Sequence, residues 1–194
     1  MIQTLESVLN ALAKTIAYNG FVSRAGGLLK EMTLTTSGGP SVRAMARIAP
    51  FSDNTLRDMS PDSNETCITF FTAGPTRVLR SDVWIIQCQN EVTLTGWVNG
   101  KRIAGNEFAD PQQEILMLLQ RAKIGFDNGE PIRNIEIEYT GSADKPDVSR
   151  YGWDGPEFQY GMEPYYFFQH RFNFTYMLQN GCATQPVQVL SPVC

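Results

Sequence analysis

Apolar residues recur at helical spacing near the start of the chain, where Leu5, Val8, Leu9, Leu12 and Ile16 form one stripe between Thr4 and Tyr18. Thr4 is placed to cap this helix and Asn19-Gly20 to stop it. The period then changes to two. Met32 to Thr36 and Val42 to Ile48 are β-like runs joined by Ser37-Gly38-Gly39-Pro40, which predicts a hairpin. In its second strand Val42, Ala44, Ala46 and Ile48 share one face, and Arg43, Met45 and Arg47 share the other. Pro50 to Asn64 is polar and aperiodic and reads as a long loop. Strand signals return at Thr66 to Thr72 and, after Gly74-Pro75, at Arg77 to Leu79, Val83 to Cys88 and Glu91 to Val98, where Asn99-Gly100 is a turn dipeptide. Consecutive antiparallel strands are the simplest arrangement.

A second helix is marked by Asp110 as N-cap, Pro111 at the first helical position, Gln113 completing a capping box and Gly125 as a stop. Its stripe is Ile115, Leu116, Leu118, Leu119 and Ala122. A strand follows, with Ile135, Ile137 and Tyr139 alternating against Asn134, Glu136 and Glu138. Gly141 to Pro164 reads as a second long loop. The final run, Tyr165 to Leu178, sets Tyr166, Phe168, His170, Phe172, Phe174, Tyr176 and Leu178 on one face; at ~3.3 Å per residue it extends for roughly 45 Å. The expected architecture is a single α+β domain over residues 1–194. Its antiparallel-rich sheet of about five to seven strands is packed by two helices. Long loops are expected near 50–65 and 141–164, and a polar C-terminal tail over 179–194.

Composition narrows the function classes. Of 194 residues, 42% are apolar, enough for a core, and only 19% are charged, the polar remainder being rich in Asn, Gln, Thr and Ser. Neutral polar surface is cheaper to desolvate than ions and suits protein contacts. A net charge of −4 gives no global attraction to nucleic acid. The segment Met1 to Glu6 lacks the features of a signal peptide and no run is long and apolar enough to span a bilayer, so a cytoplasmic site of synthesis and no membrane partner are expected.

The chemistry-bearing residues do not form a catalytic set, and no enzyme activity, metal or cofactor is expected. Cys67, Cys88, Cys182 and Cys194 have no zinc or redox spacing and read as core residues or free thiols. His170, the single histidine, lies on an aromatic strand face and reads as a packed imidazole. Glu136 and Glu138 read as a solvated face, and Asp53, Asp58 and Asp62 lack a calcium-loop pattern. Gly26-Gly27 and Ser37-Gly38-Gly39-Pro40 read as turn chemistry. Arg43 and Arg47, with Arg77 and Arg80, form a candidate basic surface. Tyr151, Trp153, Phe158 and Tyr160 form a loop cluster suited to a protein contact, to sugar stacking, or to packing on the chain's own sheet.

The order of elements, the Leu5 to Ile16 helix, the Asp110-Pro111-Gln112-Gln113 helix start and the aromatic strand from Tyr165 to Leu178 resemble the small tail-terminator and neck-ring proteins of tailed bacteriophages. The Asn/Gln/Thr-rich aromatic character is similar to virion proteins of crAss-like phages. The resemblance implies a homo-oligomeric ring of about six or twelve copies at the head-to-tail junction. Such a ring joins portal-side and tail proteins, surrounds passing DNA, and is assembled in the host cytoplasm. On that reading Tyr151, Trp153, Phe158, Tyr160, Asp53 and Asp58 are expected at subunit or partner interfaces, and Arg43 and Arg47 toward the DNA channel. The alternatives are a carbohydrate- or peptide-binding module using Trp97, Trp153 and nearby tyrosines, and a thiol- or carboxylate-dependent hydrolase.

Overall fold

The structure is a computed structural model that describes residues 5–36, 39–50, 55–103, 110–121, 132–143, 145–153 and 164–179. Helix α1 (Leu5–Ala17) forms where the apolar stripe places it, and Val8, Leu9, Leu12, Ala13 and Ile16 are buried. It ends at Asn19, whose amide donates to the carbonyl of Ile16 (2.9 Å). The strands are β1 (Arg24–Leu28), β2 (Lys30–Thr36), β3 (Gly39–Arg47), β4 (Leu56–Asp58), β5 (Cys67–Ala73), β6 (Arg77–Ser81), β7 (Ile85–Asn99), β8 (Ile132–Ser142) and β9 (Tyr165–Gln179). Between β7 and β8 lie a short helix α2 (Gly100–Ile103) and helix α3 (Pro111–Arg121); a 3-10 turn spans Ser149–Tyr151. The chain is an α+β fold with a mostly antiparallel, strand-rich sheet.

The main sheet runs β1-β5-β7-β9-β8, with β6 also on β7; among the described strands β1 pairs parallel with β5 and the other pairs are antiparallel. Its axis is β7 against β9, matched from Ile85 opposite Gln179 to Asn99 opposite Tyr165. Because side chains alternate between faces, this register puts Val92, Leu94, Val98, Phe168, Phe172, Phe174 and Tyr176 on one side. There they join α1 and Ile115 and Leu119 of α3 in the larger core. Burying each large apolar side chain contributes about 1.5–3 kcal/mol. The start of α3 is set as expected: the Asp110 carboxylate accepts from the amides of Gln112 (3.0 Å) and Gln113 (3.3 Å). Thr4 and Gly125, the other expected helix signals, lie outside the described residues.

Among the described residues, the opposite side is covered over the half nearer β5. There Ile68, Phe70 and Trp97 pack under Ala44 and Ala46 of β3, Met59, Val148 and Trp153. Strands β2, β3 and β4 form the separate three-stranded sheet that carries this cover. Beyond it the β6-β7-β9-β8 region has a polar face: Gln87 and Gln89 of β7 lie opposite Met177 and Thr175 of β9.

Several expected features differ. The segment 50–64 is not loop throughout, because Leu56–Asp58 adds to β3 as β4. Gly26-Gly27 is not a turn: both glycines lie buried within β1, and a Cβ on Gly26 would stand 2.7 Å from Met59 Cε and 3.1 Å from Ala46 Cβ. Glycine is needed there for close approach of the two layers. Val83 to Cys88 and Glu91 to Val98 are not two strands but one, β7. Gly74-Pro75 interrupts a line in which β5 and β6 succeed each other along the same edge of β7, and the chain reverses instead at Asp82. Asn99-Gly100 opens α2 rather than a hairpin turn.

Candidate functional site

Of the residues expected at interfaces, Asp53, Phe158 and Tyr160 lie outside the described residues. Trp153 is only 3% exposed. Its ring stacks on Phe167 (6.1 Å between centroids, 11° between planes) and meets Phe70 edge-on (6.0 Å). Tyr151 lies 4.7 Å from it and is half-buried, which raises its phenol pKa to about 12. This loop is held to the sheet by Gln169, whose side chain accepts from the amide of Asp147 (3.3 Å) and donates to Thr95 Oγ1 (3.0 Å). Trp153 thus packs on the chain's own sheet, because folding the loop over Phe70 and Phe167 removes its apolar ring from water. Asp58 is likewise engaged locally: one carboxylate oxygen accepts from the amide (2.8 Å) and hydroxyl (2.5 Å) of Ser60, and the other stands 3.4 Å from Arg43.

Arg43 is exposed and Arg47 half-buried on the face of β3 that points away from Ala44 and Ala46. Arg43 is partly neutralised by Asp58, which weakens it as a phosphate contact.

The described residues include His170 and the buried Cys67 and Cys88. Among the described residues no group of three or more His, Cys, Asp or Glu side chains stands close enough to hold a metal. Burial pushes the thiol pKa of Cys67 far up and that of Cys88 up. A buried thiol of that kind is a poor nucleophile, since the thiolate is the reactive form. Cys182 and Cys194 lie outside the described residues. His170 is buried beside Phe168, Phe172 and Tyr139, and its Nε2 is 3.1 Å from the carbonyl oxygen of Gln112. Leu12, Phe71, Leu119, Ile137, Phe172 and Phe174 close together between α1, α3 and the sheet and leave no room there even for a water-sized ligand.

The surface that stands out is the end of the β6-β7 hairpin. Val78, Leu79, Val83, Trp84 and Ile85 are all exposed there, Val83 at 70% and Trp84 at 52%. The turn is held by three hydrogen bonds: the Asp82 carboxylate accepts from the amides of Trp84 (2.9 Å) and Ile85 (2.8 Å), and the Asp82 amide donates to the Ile85 carbonyl (3.0 Å). These backbone donors, first that of Trp84, hold the Asp82 carboxyl below its ordinary pKa. A fixed turn that presents valine and tryptophan in place of the usual polar residues costs solubility unless another surface covers it. The sequence contained the signal, since Val83-Trp84 directly follows a turn-forming aspartate. It reads as part of a strand until the register shows that the chain reverses there.

Around this tip the polar sheet face has a charge gradient. Exposed Arg77 and Arg80 lie on β6 at one edge, and exposed Glu136 and Glu138 lie on β8 at the other. Set against protein-family models, curated proteins and solved structures, the chain matches none.

Proposed function

We propose that this chain is a structural virion protein that assembles with itself. In this reading a homo-oligomeric ring of about six or twelve copies completes the head-to-tail junction of a tailed phage and joins portal-side and tail proteins around the DNA channel. The observation that carries an assembly role is the apolar hairpin tip, Val83 and Trp84 above all, held out on a strand pair fifteen residues long. An exposed tryptophan such as Trp84 is among the side chains that most often anchor protein contacts, and the neighbouring valine and isoleucine add apolar area around it. The phage setting comes from the resemblance in element order.

A sugar-binding role built on Trp97 and Trp153 draws no support from their positions, since both rings are buried and stacking needs an open ring face. Light scattering coupled to size-exclusion chromatography, with imaging of particles, tests the proposal. A closed ring is expected at micromolar concentration, and a protein that stays monomeric and is missing from virions overturns it.

A further inference from the structure

At the far end of the main sheet, the two edge strands among the described residues carry opposite charges on one face. Four strands cross it in the order β6-β7-β9-β8, each antiparallel to the next. One row runs through all four: Arg77 lies opposite Gln89, Gln89 opposite Thr175, and Thr175 opposite Glu136. Residues in one row project to the same face. A register slip between Val78 and Arg80 brings Arg80 opposite Gln87, so both arginines share that face. Glu138 shares it too, opposite Asn173, whose amide donates to it at 3.4 Å. Arg80 stands 3.6 Å from Asp82. Arg77 and Glu136 form no ion pair among the described residues. β8 also contains Arg133, two β9 positions nearer the tip, opposite Met177.

The remaining edge of the sheet is closed. β1 is bridged to β3 at Gly26 and Ile48, and the Ala49 amide donates to the Ala25 carbonyl (2.9 Å). On β6 and β8 the outward backbone groups pair with no other strand among the described residues. Such edges are templates for another strand unless charge repels it. Here the charges repel like edges and attract unlike ones.

We propose that β6 of one copy pairs antiparallel with β8 of the next, with Arg77 meeting Glu136 across the junction. This rests on the self-assembly proposed above and names the surfaces that would make it. The occupant is a second copy because both halves of the contact are present on one chain, with complementary charge at the same level of the sheet. Four antiparallel strands give edges running in opposite directions. A neighbour displaced sideways therefore meets β6 with an antiparallel β8, without being turned over. That is a head-to-tail contact, which repeats around a ring when the sheet twist closes the circle. Two β6 edges meeting about a two-fold axis would set Arg77 against Arg77.

The test uses Arg77→Glu, Glu136→Arg and the double variant in the full chain, followed by light scattering at low salt, with thermal melting to confirm that each variant folds. Each single variant is expected to raise the dissociation constant for assembly about tenfold or more, and the double variant to recover most of it. Assembly of the single variants at the wild-type level overturns the edge pairing while leaving the assembly reading intact. A double variant that stays as defective as Arg77→Glu alone also overturns it, since restoring opposite charges across the junction should restore the contact. A wild-type chain that remains monomeric removes the assembly reading itself.

Discussion

The ring of Phe168 lies directly over Gly96 on the neighbouring strand, so close that a Cβ at position 96 would stand 2.1 Å from Phe168 Cζ. The glycine creates the hollow in which the ring sits, and Phe168 is itself buried beside His170. Gly96→Ala therefore forces a core ring to move, and overpacking of this kind costs about 1–3 kcal/mol. Denaturant unfolding should show that loss, and pairing Gly96→Ala with Phe168→Leu should return part of it. Equal stability of Gly96→Ala and wild type would mean that the ring has room to shift.

His170 should make the fold acid-sensitive. A carbonyl oxygen only accepts, so Nε2 carries the proton donated to Gln112, and the buried Nδ1 has no hydrogen-bond partner among the described residues. Desolvation by burial lowers the imidazole pKa below its usual 6.5, against smaller upward pulls from the Gln112 carbonyl and Asp110. The unfolded chain therefore binds a proton more readily than the folded one, so this contribution is complete above about pH 6.5 and is lost as pH falls through that value. Since the chain has one histidine, unfolding measured from pH 7.5 to 5.5 should show a slope that His170→Gln flattens.

Much of this was legible in the chain because it is local. The α1 stripe, the Asp110-Pro111 start of α3 and the β2-β3 hairpin each follow from neighbouring residues. What was not legible depends on partners distant in sequence. Asn90 breaks the inward apolar series of Ile86, Cys88, Val92 and Leu94, so β7 reads as two strands until Tyr176 and Gly74 are seen to satisfy its amide. Gly26 reads as a turn until Met59 and Ala46 are brought against it. Trp153 reads as a contact candidate and Trp84 only as one residue of the Val83 to Cys88 run, whereas the fold puts the first inside and the second outside.

The three tryptophans accordingly separate stability from assembly. Trp97 and Trp153 are buried, while Trp84 is half-exposed at the hairpin tip. Trp153→Ala should cost about 3–5 kcal/mol, as loss of a buried aromatic does. Trp84→Ala should leave the unfolding midpoint within about 0.5 kcal/mol of wild type yet weaken assembly. Iodide quenching gives a direct check: the dissociated protein should have one accessible tryptophan, lost in Trp84→Ala, and the assembled protein should have less. Quenching of Trp153 in the native state would contradict its burial.

Asn90 is the buried side chain that ties the break between β5 and β6 to the sheet. It is 2% exposed, its amide nitrogen donates to the Gly74 carbonyl (2.9 Å) and to Thr76 Oγ1 (3.1 Å), and its oxygen accepts from the Tyr176 hydroxyl (2.9 Å). Tyr176→Phe removes one bond and should cost about 1 kcal/mol. Asn90→Leu removes the bonds to the Gly74 carbonyl and to the Tyr176 hydroxyl, which is left with Thr76, and should cost about 1–3 kcal/mol. Asn90→Asp is the sharper probe, because it keeps an acceptor for Tyr176 but sets an oxygen against the Gly74 carbonyl. A carboxyl in that site favours its protonated form, which donates where the amide did, so its folded pKa lies above the unfolded one. The stability it retains at low pH is then lost as pH rises. Measured against wild type at the same pH, to remove the His170 slope, Asn90→Asp should be closer to wild type at pH 4.5 than at pH 8. A pH-independent difference would show that the site admits water and that Asn90 does not close the break.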